Sequence, residues 1–174
     1  MKLQDLEIAK SRLKEGNLTL SIVKNGKVLF ETATHGISGF LEAIEKCGSN
    51  LEKASAADRI VGKAIALLCI YARVRAVYAI TLSQKAKTVL EENLVHHEWE
   101  NLVENILGAN KEGACPFEKL ADEISNPKTA YQKLRVLQHS LTRMEHELFI
   151  SEEPQKEGKL KSLRNVGEKA RDKC

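Results

Sequence analysis

Apolar residues recur at Leu3, Leu6, Ile8, Ala9 and Leu13, close to the spacing of a helix face, until Gly16 and Asn17 end the run. Leu18, Leu20 and Ile22 then alternate with Thr19, Ser21 and Val23, and a second apolar stretch, Val28-Leu29-Phe30, follows Asn25-Gly26. Asn-Gly between such runs predicts a hairpin of antiparallel strands, because both residues tolerate the positive φ of a tight turn. After Gly36 and Gly39, the residues Phe40, Leu41 and Ile44 predict a short helix that stops at Gly48. A longer helix is predicted from Ala56 to Ala72, with Ser55 and Asp58 placed as its cap and a centre, AIALLCIYA, that is apolar nearly all round and therefore buried. The block Ala76 to Ser83 predicts a buried strand, and Ala86, Val89, Leu90 and Leu94 predict the helix after it. Val95 to Leu107 fits a short strand at Val95 to Trp99 running into a helix.

Beyond Cys115-Pro116, the residues Phe117, Leu120, Ala121 and Ile124 predict a short helix, and Pro127 suits the first turn of another. Ala130, Leu134, Leu137, Leu141, Met144 and Leu148 are spaced four, three, four, three, four, the seam of nearly three heptads. Such a seam lies on its own domain or pairs with a second copy. The stretch SEEPQKEG has no periodicity and predicts a linker to a small separate unit, GKLKSLRNVGEKARDKC. Helix, strand and helix in succession predict an α/β fold, a three-layer α/β/α sandwich with a mixed sheet. The expected divisions are residues 1–125 for this domain, 126–150 for the long helix and 151–174 for linker and tail.

Composition narrows the functional classes. With 43% hydrophobic and 29% charged residues, the 174-residue chain can bury a core, which excludes a wholly disordered or collagen-like chain. No stretch approaches the roughly 18 to 20 apolar residues of a membrane span, and Ile65 to Tyr71 is far too short. The opening MKLQDLEIAK has acids and no apolar core, so no secretory signal and a cytoplasmic location are expected. Cys47, Cys69, Cys115 and Cys174 never form C-x-x-C, so neither a zinc ribbon nor a disulfide framework is indicated. The formal charge of +3 averages a nearly neutral body and a basic tail: residues 158–174 hold six basic and two acidic side chains.

Three local motifs carry a family resemblance. Ala57-Asp58-Arg59-Ile60-Val61-Gly62-Lys63-Ala64, then Val77-Tyr78-Ala79 with Leu82-Ser83, then Cys115-Pro116-Phe117-Glu118 resemble, in order and spacing, an uncharacterised bacterial and archaeal family. Its members have a cytidine-deaminase-like α/β/α fold without the deaminase zinc site. The resemblance covers Leu6 to Ile124 and implies a mixed sheet between helical layers and no established activity.

Zinc deaminases place a His or Cys ligand two residues before a Glu at one helix start and Pro-Cys-x-x-Cys at the next. Here the two expected helix starts read Asp58-Arg59-Ile60 and Leu82-Ser83-Gln84-Lys85, with no imidazole or thiolate. His96-His97-Glu98 contains a literal His-x-Glu, but it follows the strand and no Cys pair comes after it. Zinc-dependent deamination is not expected, and neither a metal nor a cofactor is predicted.

In an open α/β sheet, ligands gather where strand C-termini meet helix N-termini, which singles out Asp58, Lys63, Ser83 and the loop to Cys115. Asp58 reads as a general acid or base, or as a favourable charge at a helix start. Lys63 reads as a ligand for phosphate or carboxylate, or as a surface lysine inside a largely apolar helix. Ser83 reads as a helix cap or as part of an anion site at that helix start. Cys115 reads as a nucleophile or redox thiol favoured by a helix N-terminus, or as a structural thiol; Cys47 and Cys69 read as core residues. Gly62 reads as a close-packing residue.

The tail, Leu160 to Arg171, resembles the hairpin of helix-hairpin-helix modules, including the one in the C-terminal domain of the RNA polymerase α subunit. That resemblance implies DNA phosphate contact through Lys161, Arg164, Asn165, Gly167 and Lys169, although Asn165 stands where many hairpins have glycine. The leading expectation is a zinc-free domain that binds a small anionic or nucleotide-like ligand at the Asp58, Lys63 and Cys115 end of the sheet. The alternatives are a nucleic-acid-associated protein contacting DNA through the tail, and a structural module that forms a homodimer along the Ala130 to Leu148 seam.

Overall fold

The computed structural model describes residues 2–171, with side chains described for residues 4–150. Asn25 and Gly26 take φ of 52° and 74°, turning the chain between β1 (Leu20–Lys24) and β2 (Lys27–Thr32), which pair antiparallel. Two positive φ values in succession suit the right-handed twist of the strands they join. The helix α1 (Lys2–Glu15) fixes this turn through Asp5, whose carboxylate accepts the backbone N–H groups of Asn25 and Gly26 at 2.9 and 2.7 Å.

The expected helix from Ala56 to Ala72 is in fact a strand followed by a helix. β3 (Ser55–Val61) pairs antiparallel with β1 and parallel with β4 (Ala76–Ser83). Ala56, Ala57 and Val61 are all buried, because a central strand covered on both faces has no polar side to alternate with. The helix α3 (Lys63–Tyr71) starts only after Gly62 and buries Ala64, Ala66, Leu67, Leu68 and Cys69. Each large side chain of this kind is worth about 1.5–3 kcal/mol of transfer free energy.

β4 is followed by α4 (Gln84–Glu92) and β5 (His96–Val103). β5 extends past Trp99 and takes the place of the helix expected up to Leu107, since Trp99 to Val103 continue the parallel pairing with β4. The sheet order is β2-β1-β3-β4-β5, antiparallel on the hairpin side and parallel from β3 to β5. The two consecutive crossovers, β3-α3-β4 and β4-α4-β5, advance in one direction across the sheet and so share one face, as crossovers of one hand require. That face also carries α2 (Ser38–Cys47), α5 (Pro116–Asp122) and the start of α6 (Pro127–Arg171), through Phe40, Leu68, Leu90, Ala121, Ala130 and Leu134. On the opposite face Leu6, Ala9 and Leu13 of α1 pack against Val23, Ala57 and Tyr78. The architecture is therefore the expected three-layer α/β/α sandwich with a mixed sheet.

The α1 face is closed by ion pairs. Arg12 binds the Glu31 carboxylate of β2, Lys10 binds Glu98 of β5, and Lys14 joins Tyr78 at the Glu100 carboxylate. On the opposite face, where β3 and β4 deliver the chain into α3 and α4, Lys85 of α4 pairs with Asp122 of α5.

Two compact units divide the chain, Met1–Val136 and Leu137–Cys174. The first thus includes the start of α6, where Ala130 and Leu134 are fully buried, and extends past the expected boundary at residue 125. In the second, the backbone is helical to Arg171, including residues 151–158, where the sequence pattern predicts a linker, and the stretch for which a hairpin is expected. Met144 is exposed there. The side chains of Lys161, Arg164, Asn165 and Lys169, and any that Gly167 would meet, lie outside those described. Among the described residues no helix is long and apolar enough to cross a membrane.

Candidate functional site

The start of α3 has no side-chain cap of its own. Gly62 occupies the cap position in an extended conformation, φ −94° and ψ −178°, which leaves the first helical N–H groups in need of an acceptor. Glu118 of α5 supplies it: the Lys63 N–H donates to Oε2 and the Ala64 N–H to Oε1, both at 2.9 Å. A Cβ at position 62 would lie 2.4 Å from Oε1 and 2.7 Å from Oε2 of that carboxylate, so the glycine is what admits it. Glu118 is 9% exposed. Burial pushes its pKa above the usual carboxylate range, against the two amide hydrogen bonds, which pull it down.

One turn further along α5, Asp122 gathers two lysines. Its carbonyl oxygen accepts the Lys63 Nζ at 3.1 Å, and its carboxylate accepts Lys85 Nζ at 2.9 and 2.8 Å on its two oxygens. The hydrogen bond to Asp122 raises the Lys85 pKa above the ordinary lysine value. These residues stand at one end of an open groove of about 530 Å³ between α3 and α4. Leu67 and Val89 provide its apolar lining, and Thr88, Glu92 and Asn93 provide polar groups. The groove thus offers two ammonium groups beside an apolar surface, an arrangement suited to a ligand with an anionic end and a less polar body.

Of the residues singled out from the sequence, Lys63 lies in this groove and Asp58, Ser83 and Cys115 are not among its lining. Lys63 stands at the first position of α3 rather than inside it. Asp58 caps no helix, because position 58 belongs to β3, between Leu20 of β1 and Ala79 of β4. Its Oδ1 accepts the Ile60 N–H at 3.0 Å. Burial of the carboxyl pushes its pKa up to about 7, opposed by the amides of Ile60 and Arg59. Ala56 packs in the core on the α3 side and Ala57 against α1, so alternation along β3 puts position 58 on the α3 side of the sheet, and burial, followed by the Asp58 charge, raises the Cys69 thiol on α3 well above its ordinary value.

Ser83 is a cap, as one of its readings holds: its Oγ accepts the Ala86 N–H at 3.1 Å and is buried at the start of α4. Cys115 stands at the cap position of α5 with Pro116 after it, half-buried and making no capping hydrogen bond. His96 and His97 lie in β5, where His97 stacks on Trp99 with centroids 5.6 Å apart and His96 meets Glu98 at 3.1 Å.

A deaminase zinc does not fit the two helix starts. They read Gly62-Lys63-Ala64 and Ser83-Gln84-Lys85, offering ammonium groups where a divalent cation needs thiolate or imidazole. Among the described residues no three His, Cys, Asp or Glu side chains gather as metal ligands.

Sequence reasoning missed Glu118 and Asp122 as site residues, though Glu118 stands in one of the motifs it quoted. Its partner amides lie 54 and 55 residues away. The available signal was indirect: a glycine with no side-chain oxygen opens a buried apolar helix, so the acceptor had to come from elsewhere.

The fold is similar to that of a DUF1893 family protein (TM1506) from Thermotoga maritima, with a TM-score of 0.69 and 24% identity, covering 79% of this chain and 90% of that one. Two forms of Acinetobacter baumannii RibD match with TM-scores of 0.37 and 0.39 and identities of 21% and 18%, covering 71% of this chain and 36% and 38% of theirs. No curated protein matches the chain. Residues 8–137 match the family model TM1506, a domain of unknown function (DUF1893).

Proposed function

The chain belongs to the TM1506 family, a domain of unknown function (DUF1893), and from that premise we propose that it binds a small anionic ligand of nucleotide-like size in the groove between α3 and α4. The observation that carries this reading is the pair of ammonium groups, Lys63 and Lys85, at one end of a groove with Leu67 and Val89 along it. A phosphate or carboxylate is held by the two positive charges, and a planar or aliphatic body covers the apolar side chains. The volume of about 530 Å³ lies within the range of small-molecule sites. Lysine is suited to an anion that approaches from several directions, since an ammonium is a point charge with three donors.

The reading differs from the sequence expectation in its geometry. The anion is placed on Lys63 and Lys85, with Asp58 and Cys115 outside the contact. Calorimetric titration with adenosine 5′-monophosphate (AMP) at low salt tests it. Saturable binding is expected, weakened about tenfold or more by Lys85→Ala and reduced by added salt. Absence of saturable binding to the unaltered chain at millimolar AMP refutes the reading.

A further inference from the structure

We propose that Asp122 is a built-in competitor for the ligand, its carboxylate occupying the anion position on Lys85 until a ligand displaces it; this rests on the groove-binding reading above. Asp122 lines the groove, and both of its carboxylate oxygens lie on Lys85 Nζ, at 2.9 and 2.8 Å. The ammonium has three N–H donors, so an incoming phosphate that engages Lys85 through two of them must take at least one of those directions.

The two acids of α5 divide the work. Glu118 is 9% exposed and satisfies two helix-start amides; withdrawing it would strand buried donors, so it anchors α5. The Asp122–Lys85 pair is open to solvent, with side chains 42% and 45% exposed, and pairs of this exposure are weak. The Asp122 side chain can therefore rotate away while its carbonyl keeps Lys63 and Glu118 keeps α5 in place. Affinity and selectivity are set by the exchange: a phosphate carries more charge than the single carboxylate it replaces, and a weak monoanion gains little by entering.

The test compares AMP affinity of the full chain with that of three variants, checked for unchanged circular dichroism. Asp122→Asn removes the competitor and is expected to tighten binding about fivefold. Asp122→Glu restores an anion and is expected to stay within twofold of the unaltered chain. Glu45→Gln removes the same unit of charge from an exposed position on α2, outside the groove lining; less than a twofold change is expected. Equal gains from Asp122→Asn and Glu45→Gln, or no gain from either while the unaltered chain binds AMP, overturn the competitor and leave the groove reading standing. Failure of every form to bind AMP overturns both.

Discussion

Gly62 and Glu118 are fitted to one another: a side chain at 62 would begin 2.4 Å from the Glu118 carboxylate that caps α3. The glycine is needed for space and not for conformation, because its φ of −94° is open to any residue. Gly62→Ala is therefore expected to destabilise the fold by about 1–3 kcal/mol, the cost of leaving buried amides without their acceptor. Alanine for glycine at an unstrained, uncrowded position would instead stabilise slightly. Urea unfolding decides between them.

Replacing the other partner gives the complementary result. Glu118→Ala should cost about 2–3 kcal/mol, since both the Lys63 and Ala64 amides lose their acceptor, while Glu118→Gln keeps one carbonyl acceptor and should cost about half as much. Equal losses for the two variants would mean that the charge, and not the acceptor geometry, holds α5.

Asp58 makes stability depend on pH in an unusual direction. Its pKa is raised from 3.8 to about 7, so between these values the folded chain keeps a proton that the unfolded chain has released. Stability contributed by this group is full at low pH and is lost as pH rises, the loss complete above about pH 8. At 1.36 kcal/mol per unit the effect is at most about 4 kcal/mol, and Glu118, raised by burial, acts in the same sense. Asp58→Asn preserves the acceptor for Ile60 and should flatten the decline between pH 5 and 8, being more stable than the unaltered chain at pH 8. Parallel profiles in urea melts would contradict this.

The end of the first compact unit predicts how the chain tolerates shortening. Ala130 and Leu134 are fully buried and Tyr131 stacks on Tyr71 of α3 with centroids 4.5 Å apart. Ending the chain after residue 137 should leave its melting temperature nearly unchanged, whereas ending it after residue 126 should cost more than about 3 kcal/mol, from lost side-chain burial alone.

The parts of this fold that were legible in the sequence are those with a local cause. Asn25-Gly26 imposes its turn wherever it is placed, β4 is marked by β-branched and aromatic residues, and Pro127 opens its helix; the family resemblance read from three motifs holds over residues 8–137. β3 was illegible because its first three residues, Ser55, Ala56 and Ala57, are all buried and show no alternation, and alanine favours a helix over a strand. That one misreading moved the start of α3 and turned Asp58 into a cap. The groove itself is built by pairs far apart in sequence, Lys85 with Asp122 and Gly62 with Glu118, whose meeting is a property of the fold. Lys63 was visible as a candidate only because it is a lysine beside a glycine at the edge of an apolar run.

The most direct test of the anion-binding account is an amide chemical-shift titration of the full chain with AMP. The account predicts saturable shifts concentrated at residues 63–67, 85–89 and 122, lost in Lys85→Ala. Shifts confined to other surfaces, or none at millimolar AMP, would contradict it.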